Sequence, residues 1–450
     1  MTNILDCLYE LLWGAPMLVL ILGVGVWLTI CTRCVQLRLF PQAVRRFFRI
    51  TPACGGAVSP FRALCTALAA TVGTGNLVGV AGAICLGGPG AVFWMLAFAF
   101  FGMAVKYAEA ALAVRFRVTS NGEVVGGTMY MIRSRLSKRW LPMAYIYSIC
   151  GILASFGVGN LTQVNAIVTG VQSILGERSV SPLALGLVLM VLVGLAFLKG
   201  ADSIGKIAEK LIPYAASIYV VLCVLFLTIK VSLLPDALRN ILRGAFSPRA
   251  VTGGMIGSAM KALQIGCSRG VFTHEAGMGT ASIAHAGADV SHPAEQGMMG
   301  LLEVFLDTFV ICTLTALVIL CSGIPIPYGV DSGANLTTAA FSAVYGRFGK
   351  ILVSVFLACF AYATILGWSF YGLRCTQFVF GIKAAPAFFL LQTGAVVLGA
   401  ILKTPQVWRM AEILNGLMAL PNLLTLIILS PELRTLTNSY QSGASIYNRR

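Results

Sequence analysis

The chain has 450 residues, of which 58% are hydrophobic and only 11% charged, and its formal net charge is +16. A soluble domain has about a quarter of its residues charged, and a chain this poor in polar groups cannot cover a water-facing surface of this size. These values exclude a soluble enzyme, a disordered chain and a secreted disulfide scaffold, and they predict an all-α polytopic membrane protein in which the positive excess sets orientation instead of binding nucleic acid.

Eleven apolar stretches reach the roughly 20 residues a helical span requires. They run over 14–32, 62–86, 91–112, 143–170, 183–198, 209–229, 254–280, 298–321, 349–372, 386–402 and 411–429, and are numbered spans 1 to 11. Only short loops remain between them, so no sizeable soluble domain fits. Span 1 follows Asp6 and Glu10 with no Lys or Arg before it, which reads as an uncleaved helix and not a signal peptide. With the N-terminus outside, the inner segments carry 20 Lys and Arg and the outer segments 9. That asymmetry predicts a plasma-membrane protein with its N-terminus outside and its C-terminus in the cytoplasm.

In chain order, span 2 carries the run Thr71-Val72-Gly73-Thr74-Gly75-Asn76 near its middle. Such residues do not suit a plain lipid-facing helix, although close packing through small residues would also use them. In span 3, Lys106 and Glu109 are three apart and read as a structural pair. Phe156, Asn160 and Gln163 of span 4 follow i, i+4, i+7 spacing, one helical stripe suited either to a cavity wall or to interhelical hydrogen bonds. Segment 231–250 reads as a short amphipathic helix at the membrane interface, a lid or a plain connector. Span 7 contains Gly266-Cys267-Ser268-Arg269-Gly270-Val271-Phe272-Thr273-His274-Glu275-Ala276-Gly277-Met278-Gly279, with four glycines and three ionisable residues. On span 8, Glu303 and Asp307 are i, i+4 and share a face. Intramembrane carboxylates are costly and mark cavities or partners. Asp307 is a candidate for the coupling cation, or else a partner of Arg269 or of Thr308 and Thr313. On span 9, the Trp368 indole either closes a pocket or packs in the core. The thirteen cysteines lie mostly in apolar runs and form no framework. Cys31 and Cys34 lack a second pair at zinc spacing, and three histidines are too few for most metal centres, so no metal or cofactor is expected.

The interruptions in spans 2 and 7 are five spans apart. Unwound backbone at membrane depth is tolerated only inside protein or beside a cavity. Its half-helix ends can hold a carboxylate at the amide side and a cation or ammonium at the carbonyl side. Five is odd, so spans 2–6 and 7–11 form a 5+5 inverted repeat with two broken helices. The expected units are 51–230 and 231–430, after an extra N-terminal helix and basic loop over 1–50 and before a tail over 431–450.

The chain also resembles the alanine or glycine:cation symporter family. The resemblance is carried by Ala69 to Ala81, Gly88-Pro89-Gly90, Lys106-Tyr107-Ala108-Glu109, Gly126-Gly127-Thr128-Met129-Tyr130, Phe156 to Asn160, Glu275 to Thr280, Ile283 to Ala286, His292-Pro293, Gln296-Gly297, Glu303 to Thr308 and Leu366-Gly367-Trp368. It implies a LeuT-type core preceded by one extra helix. It also implies uptake of a small neutral amino acid, usually alanine or glycine, driven by Na⁺ or H⁺, with a glutamine- or D-alanine-selective carrier of the same fold as the alternative; a monomer is the expected working unit. By the resemblance, the backbone of Thr74, Gly75 and Asn76 meets the substrate carboxylate, and the stretch through Ser268, Gly270 and Thr273 offers carbonyls to its amine. Phe156, Asn160, Gln163 and Trp368 complete the pocket. Thr71, Val72 and Gly73 supply carbonyls to a cation, with Ala361 and Thr364 opposite. The chain departs from the family at His274, often Asn, at Thr280-Ala281-Ser282, often Ser-Ala-Pro, and at Leu373, often Glu. An intramembrane enzyme or a channel is the rival class, but no nucleophile–base pair, metal set or filter ring is found at mid-span.

Overall fold

The computed structural model describes residues 2–48, 58–120, 122–176, 180–197, 200–247, 259–331, 333–402 and 405–443. Every expected span has a helical counterpart. Span 1 is Ala15–Cys31, span 3 Gly90–Arg115, span 5 Pro182–Phe197, span 6 Gly200–Ile229, span 9 Arg347–Phe380, span 10 Ala385–Ile401 and span 11 Pro405–Ile428. Span 2 is divided into Pro60–Thr71, a π turn Gly75–Gly79 and Val80–Gly87. Span 7 is divided into Ala259–His274 and Thr280–His285; its expected start over 254–258 lies outside the described residues. Spans 4 and 8 are continuous but contain π turns, Gly157–Leu161 and Phe305–Cys312. Among the described residues, seven helices are long and apolar enough to cross a membrane alone, or up to nine counting bent pairs. The two spans missing from that count are span 5, which is only 16 residues long, and span 7, which is split into two short pieces.

Local chemistry fixes several span starts. Ser59 caps span 2 by accepting from the Arg62 amide at 3.1 Å, with Pro60 in the first turn. His292 does the same for span 8, accepting from the Ala294 amide at 3.1 Å ahead of Pro293. Span 3 runs through the core and is rich in buried alanine. Gly297 and Gly300 of span 8 lie so close to Tyr107 and Lys106 that a side chain at either would clash. This is the small-residue packing that membrane helices use in place of a hydrophobic driving force.

The sequence windows missed several shorter elements because none contains a 20-residue apolar run. They are the helices Phe40–Phe48, Thr128–Arg135, Gly333–Tyr345 and Ser430–Gln441, and a hairpin pairing Val118–Ser120 with Glu123–Val125. The expected interfacial helix is present as Leu234–Phe246; residues 248–250 lie outside the described residues. Its Gly244 backbone abuts Gly90, and the Trp94 indole donates to the Ala245 carbonyl at 3.2 Å. It therefore clamps the end of span 3 at its junction with span 2.

Candidate functional site

The break in span 2 begins at Val72, whose extended backbone (ψ 92°) ends the first half-helix, and the two halves meet at 52°. The freed Gly73 amide donates to Asn76 Oδ1 at 2.9 Å, and the Leu77 carbonyl accepts the Thr337 hydroxyl at 2.8 Å from the Gly333–Tyr345 helix. A Cβ on Gly73 would lie 2.5 Å from Thr364 Oγ1, and one on Gly75 would lie 2.9 Å from Thr273 Cγ2. Glycine at these two positions thus brings span 2 into backbone contact with spans 9 and 7 at once. Of the residues expected around a cation, Gly73 and Thr364 meet, with Thr71 and Val72 just before Gly73 in span 2 and the buried Ala361 one turn before Thr364 in span 9. Thr364 donates its hydroxyl proton to the Phe360 carbonyl at 3.0 Å and keeps its oxygen as an acceptor. A hard cation requires this kind of oxygen set. The Thr74 hydroxyl is buried in the break and has no hydrogen-bond partner among the described residues.

Span 7 breaks later than its sequence suggests. The helix continues to His274, and the interruption is Glu275 to Gly279, with Glu275, Gly277 and Gly279 at φ +52°, +96° and +78°. Ser268 and Gly270 are therefore inside the helix, and their carbonyls belong to its ladder; the Gly270 carbonyl also takes the Thr273 hydroxyl at 2.8 Å. Of the three residues expected to present carbonyls, only Thr273 lies in the last turn, where carbonyls run out of helical partners. The reason is that glycine in a helix costs only about 1 kcal/mol, whereas a left-handed φ ends it. Gly266 and Gly270 pack against Ala91, Trp94 and Met95 of span 3, while Gly277 and Gly279 make the turn.

Span 3 supplies the acceptor for the amides this break exposes. Glu109 Oε1 accepts from Gly277 N and Gly279 N at 3.0 Å each and from Asn422 Nδ2 at 2.7 Å. Lys106 does not pair with Glu109, as its spacing suggested, but reaches Glu303 at 2.7 Å. His285, at the buried end of the second half-helix, lies 3.0 Å from the other Glu303 oxygen. Glu275 bridges within and beyond the break: Oε2 accepts from Thr280 Oγ1 at 2.6 Å and Oε1 from the Trp368 indole at 3.0 Å. His274 Nδ1 accepts the Ala276 amide at 3.0 Å.

Glu303 and Asp307 have different partners. Asp307 lies in the π turn starting at Phe305 and reaches span 2, where its Oδ1 accepts from Asn76 Nδ2 at 2.7 Å, while its Oδ2 accepts from Thr308 Oγ1 at 2.9 Å. Asn76 thus links the Gly73 amide to the Asp307 carboxylate. Arg269 lies instead 3.5 Å from Asp331 and 3.9 Å from Glu412.

The stripe expected on span 4 is also broken by a π turn. The turn Gly157–Leu161 inserts an extra residue, which shifts Gln163 out of the i, i+4, i+7 register while Phe156 and Asn160 still face one neighbour. Phe156 packs on Phe388 with ring centroids 5.7 Å apart, and Asn160 donates to the Gln392 carbonyl at 2.8 Å. Both contacts are to span 10 and away from the breaks. Gln163 Nε2 and Thr162 Oγ1 cap the Val158 carbonyl at 3.1 and 2.8 Å. Span 4 packs along span 9, and beside the break of span 7 it does so through Gly159, which abuts the fully buried Trp368. The indole thus sits between span 4 and the break of span 7.

A cavity of about 380 Å³ opens on the side of the span 1–2 and 9–10 loops, lined by Arg62, Thr66, Gly126, Ala284, Phe370 and Arg374 among others. Thr66 is five residues before Thr71, about 7.5 Å along a helix, so this vestibule stops just short of the breaks. The segment joining spans 8 and 9 is tied to spans 7 and 2 by the Arg269–Asp331 pair and the Thr337–Leu77 hydrogen bond. Where Leu373 replaces the family's usual carboxylate, Arg374 pairs at 2.6 Å with Glu123 of the hairpin. Sequence reasoning did not single out Glu109, Glu275, Thr337 or Asn422 for the breaks. The first two were visible as a carboxylate in a matching motif and a carboxylate within a glycine run.

Comparison with known proteins agrees with this architecture. A family model described as the sodium:alanine symporter family matches residues 1–447. The chain is 40% identical over 435 residues to the sodium/alanine symporter AgcS of Methanococcus maripaludis, covering 95% of this chain and 94% of that one. It is 34% identical over 436 residues to a probable sodium/glutamine symporter, GlnT, of Bacillus subtilis, covering 96% and 89%. Among solved structures it resembles MhsT in complex with L-phenylalanine, with TM-score 0.58 and 14% identity over 85% of this chain and 98% of that one, a likeness of fold alone. The chain belongs to the sodium:alanine symporter family: it is a LeuT-fold, cation-coupled amino-acid symporter and not an enzyme.

Proposed function

We propose that the protein imports alanine or glycine together with Na⁺, the amino acid binding where the two broken helices meet. The contact of Gly75 with Thr273, beside the buried and unpartnered Thr74 hydroxyl, carries this reading. The substrate carboxylate meets the Thr74–Asn76 backbone, and its ammonium meets the carbonyl end of span 7 at Thr273. Trp368, held by Glu275, limits the side chain to a small one. Na⁺ binds the carbonyls of Thr71 to Gly73 with Ala361 and Thr364, and Asp307 acts on the same corner through Asn76. The Glu109 carboxyl already occupies the exposed amides of span 7, which leaves the amides of span 2 for the substrate. The repeats 51–230 and 231–430 rock against each other, with the N-terminus outside, and the vestibule is the cytoplasmic exit.

Coupling is then linkage: Na⁺ and substrate each raise the other's affinity by the same factor. Titrating alanine and glycine into purified protein in Na⁺ and in K⁺ tests this, with Na⁺-dependent binding of either expected and Na⁺-independent binding of both contradicting it. Thr364→Ala removes one neutral oxygen from the cation set. It should raise the Na⁺ concentration for half-maximal uptake about tenfold, the equivalent of ~1.4 kcal/mol, while Na⁺-saturated uptake recovers. An unchanged Na⁺ dependence would place the cation elsewhere.

A further inference from the structure

Span 1 ends at Cys31, and from Val35 the chain forms a surface arm, the helices Val35–Arg38 and Phe40–Phe48. Arg33 and Cys34 make the turn into it with φ +54° and +56°, a region that residues with a Cβ avoid. The turn is held from inside. Cys34 N donates to the Thr29 carbonyl at 2.8 Å, and the buried Gln36 donates through Nε2 to Thr29 Oγ1 at 2.9 Å. The inner face of the arm buries Val35, Leu39 and Ala43. Phe40 packs on Phe305 of span 8 with ring centroids 4.8 Å apart, and Phe47 packs on Phe61 at the start of span 2 at 5.7 Å. Arg46 pairs with Glu295 in the first turn of span 8 at 2.6 Å. An arm fixed in this way to the end of a membrane span lies at the boundary between hydrocarbon and water.

The outer face of the arm has a different chemistry. Leu37 and Phe48 are 62% and 76% exposed, and Arg33, Arg38 and Arg45 are exposed beside them. Leu39 keeps helical backbone between the two helices, so Arg38 and Arg45, seven residues apart, stand two turns apart on one face. Arg38 bonds neutral acceptors, the Thr32 and Arg33 carbonyls at 3.4 and 3.3 Å and the Gln441 side chain. None of the three arginines has a carboxylate partner among the described residues. The sequence supplies none locally, because no Asp or Glu occurs between Glu10 and Glu109. Three uncompensated positive charges therefore border two large apolar side chains. Water does not suit Leu37 and Phe48, and hydrocarbon does not suit arginine. The headgroup–acyl boundary of a bilayer suits both, and an anionic headgroup supplies the missing charge. The guanidinium fork also matches phosphate oxygens.

We propose that the outer face of this arm binds anionic phospholipid: Arg33, Arg38 and Arg45 hold the headgroup phosphates, and Leu37 and Phe48 enter the acyl region beside them. The arm braces the starts of spans 2 and 8, which Asn76 and Asp307 join at depth. A bound lipid thus steadies the same pair of helices from the surface. With the N-terminus outside, the lipid belongs to the cytoplasmic leaflet. Lipid binding here does not depend on what the protein carries.

Native mass spectrometry of the full-length protein, titrated with phosphatidylglycerol or with phosphatidylcholine, tests this. The wild type should bind phosphatidylglycerol more tightly. An arginine near an anionic membrane surface is worth about a fivefold change in binding. Arg45→Gln should therefore weaken phosphatidylglycerol binding about fivefold, and Arg33→Gln, Arg38→Gln and Arg45→Gln together about a hundredfold, with phosphatidylcholine binding unchanged. A charge-matched control, Arg135→Gln with Lys138→Gln and Arg139→Gln, removes three exposed basic residues away from the arm and should keep the preference. No preference for phosphatidylglycerol in the wild type, a preference kept by the arm variants, or an equal loss in the control overturns the proposal. So does a wild-type dimer that the triple arm variant dissolves without a change in lipid preference, which would give this face to a second copy. Uptake is not read, so failure of the wild type to take up alanine would count against the transport reading and not against this surface.

Discussion

Replacing Gly75 by valine should reduce Na⁺-driven alanine uptake by about a hundredfold or more, ~2.7 kcal/mol in barrier terms, with the protein still inserted in the membrane. The added Cβ would sit 2.9 Å from Thr273 Cγ2, between two backbones whose approach defines the candidate pocket. Overpacking a filled core costs typically 1–3 kcal/mol, and here the strain falls where the break of span 2 meets span 7. The rest of span 2 remains packed, because Ala67, Ala70, Leu77 and Ala81 bury their side chains without involving Gly75. Gly79→Ala is the control, since no atom lies within 4 Å of where its Cβ would be. Membrane yield and uptake of both variants, measured side by side, check the expectation; wild-type uptake by Gly75→Val would remove the breaks from the transport path.

Lys106→Met should be the most damaging substitution for stability. Lys106 and Glu303 are buried and 2.7 Å apart. Removing one member of such a pair leaves the other charge unpaired in a low-dielectric core, at a cost of about 3–5 kcal/mol. The melting temperature in detergent should fall clearly. Adding Glu303→Gln should restore most of the loss, because the amide removes the stranded charge and can still bond His285. A double variant no more stable than the single one would show that the pair's geometry, not its charge balance, is what the fold requires.

How much of this the sequence discloses depends on the kind of signal. Apolar windows locate spans because bilayer thickness dictates their length, and the Gly73–Asn76 cluster marks a true break. The span 7 break was displaced because composition shows where glycines are, not which of them take positive φ: Gly270 packs on Met95, whereas Gly277 and Gly279 turn. The π turns in spans 4 and 8 leave no mark in residue type, and residue spacing does not disclose that Asn160 bonds span 10 or that Asp307 and Glu303 take partners on different spans. Lys106 illustrates the remaining limit. Its neighbour in sequence is Glu109, and its partner in space is 197 residues away.

The central claim is that a small neutral amino acid crosses with Na⁺ through the paired breaks. Uptake of labelled alanine into proteoliposomes under an inward Na⁺ gradient, against choline and against an inward proton gradient, tests it most directly. Accumulation that requires the Na⁺ gradient and collapses when Na⁺ is equalised is the predicted result. Accumulation that proceeds equally in choline, or none for alanine or glycine under any gradient, would contradict it.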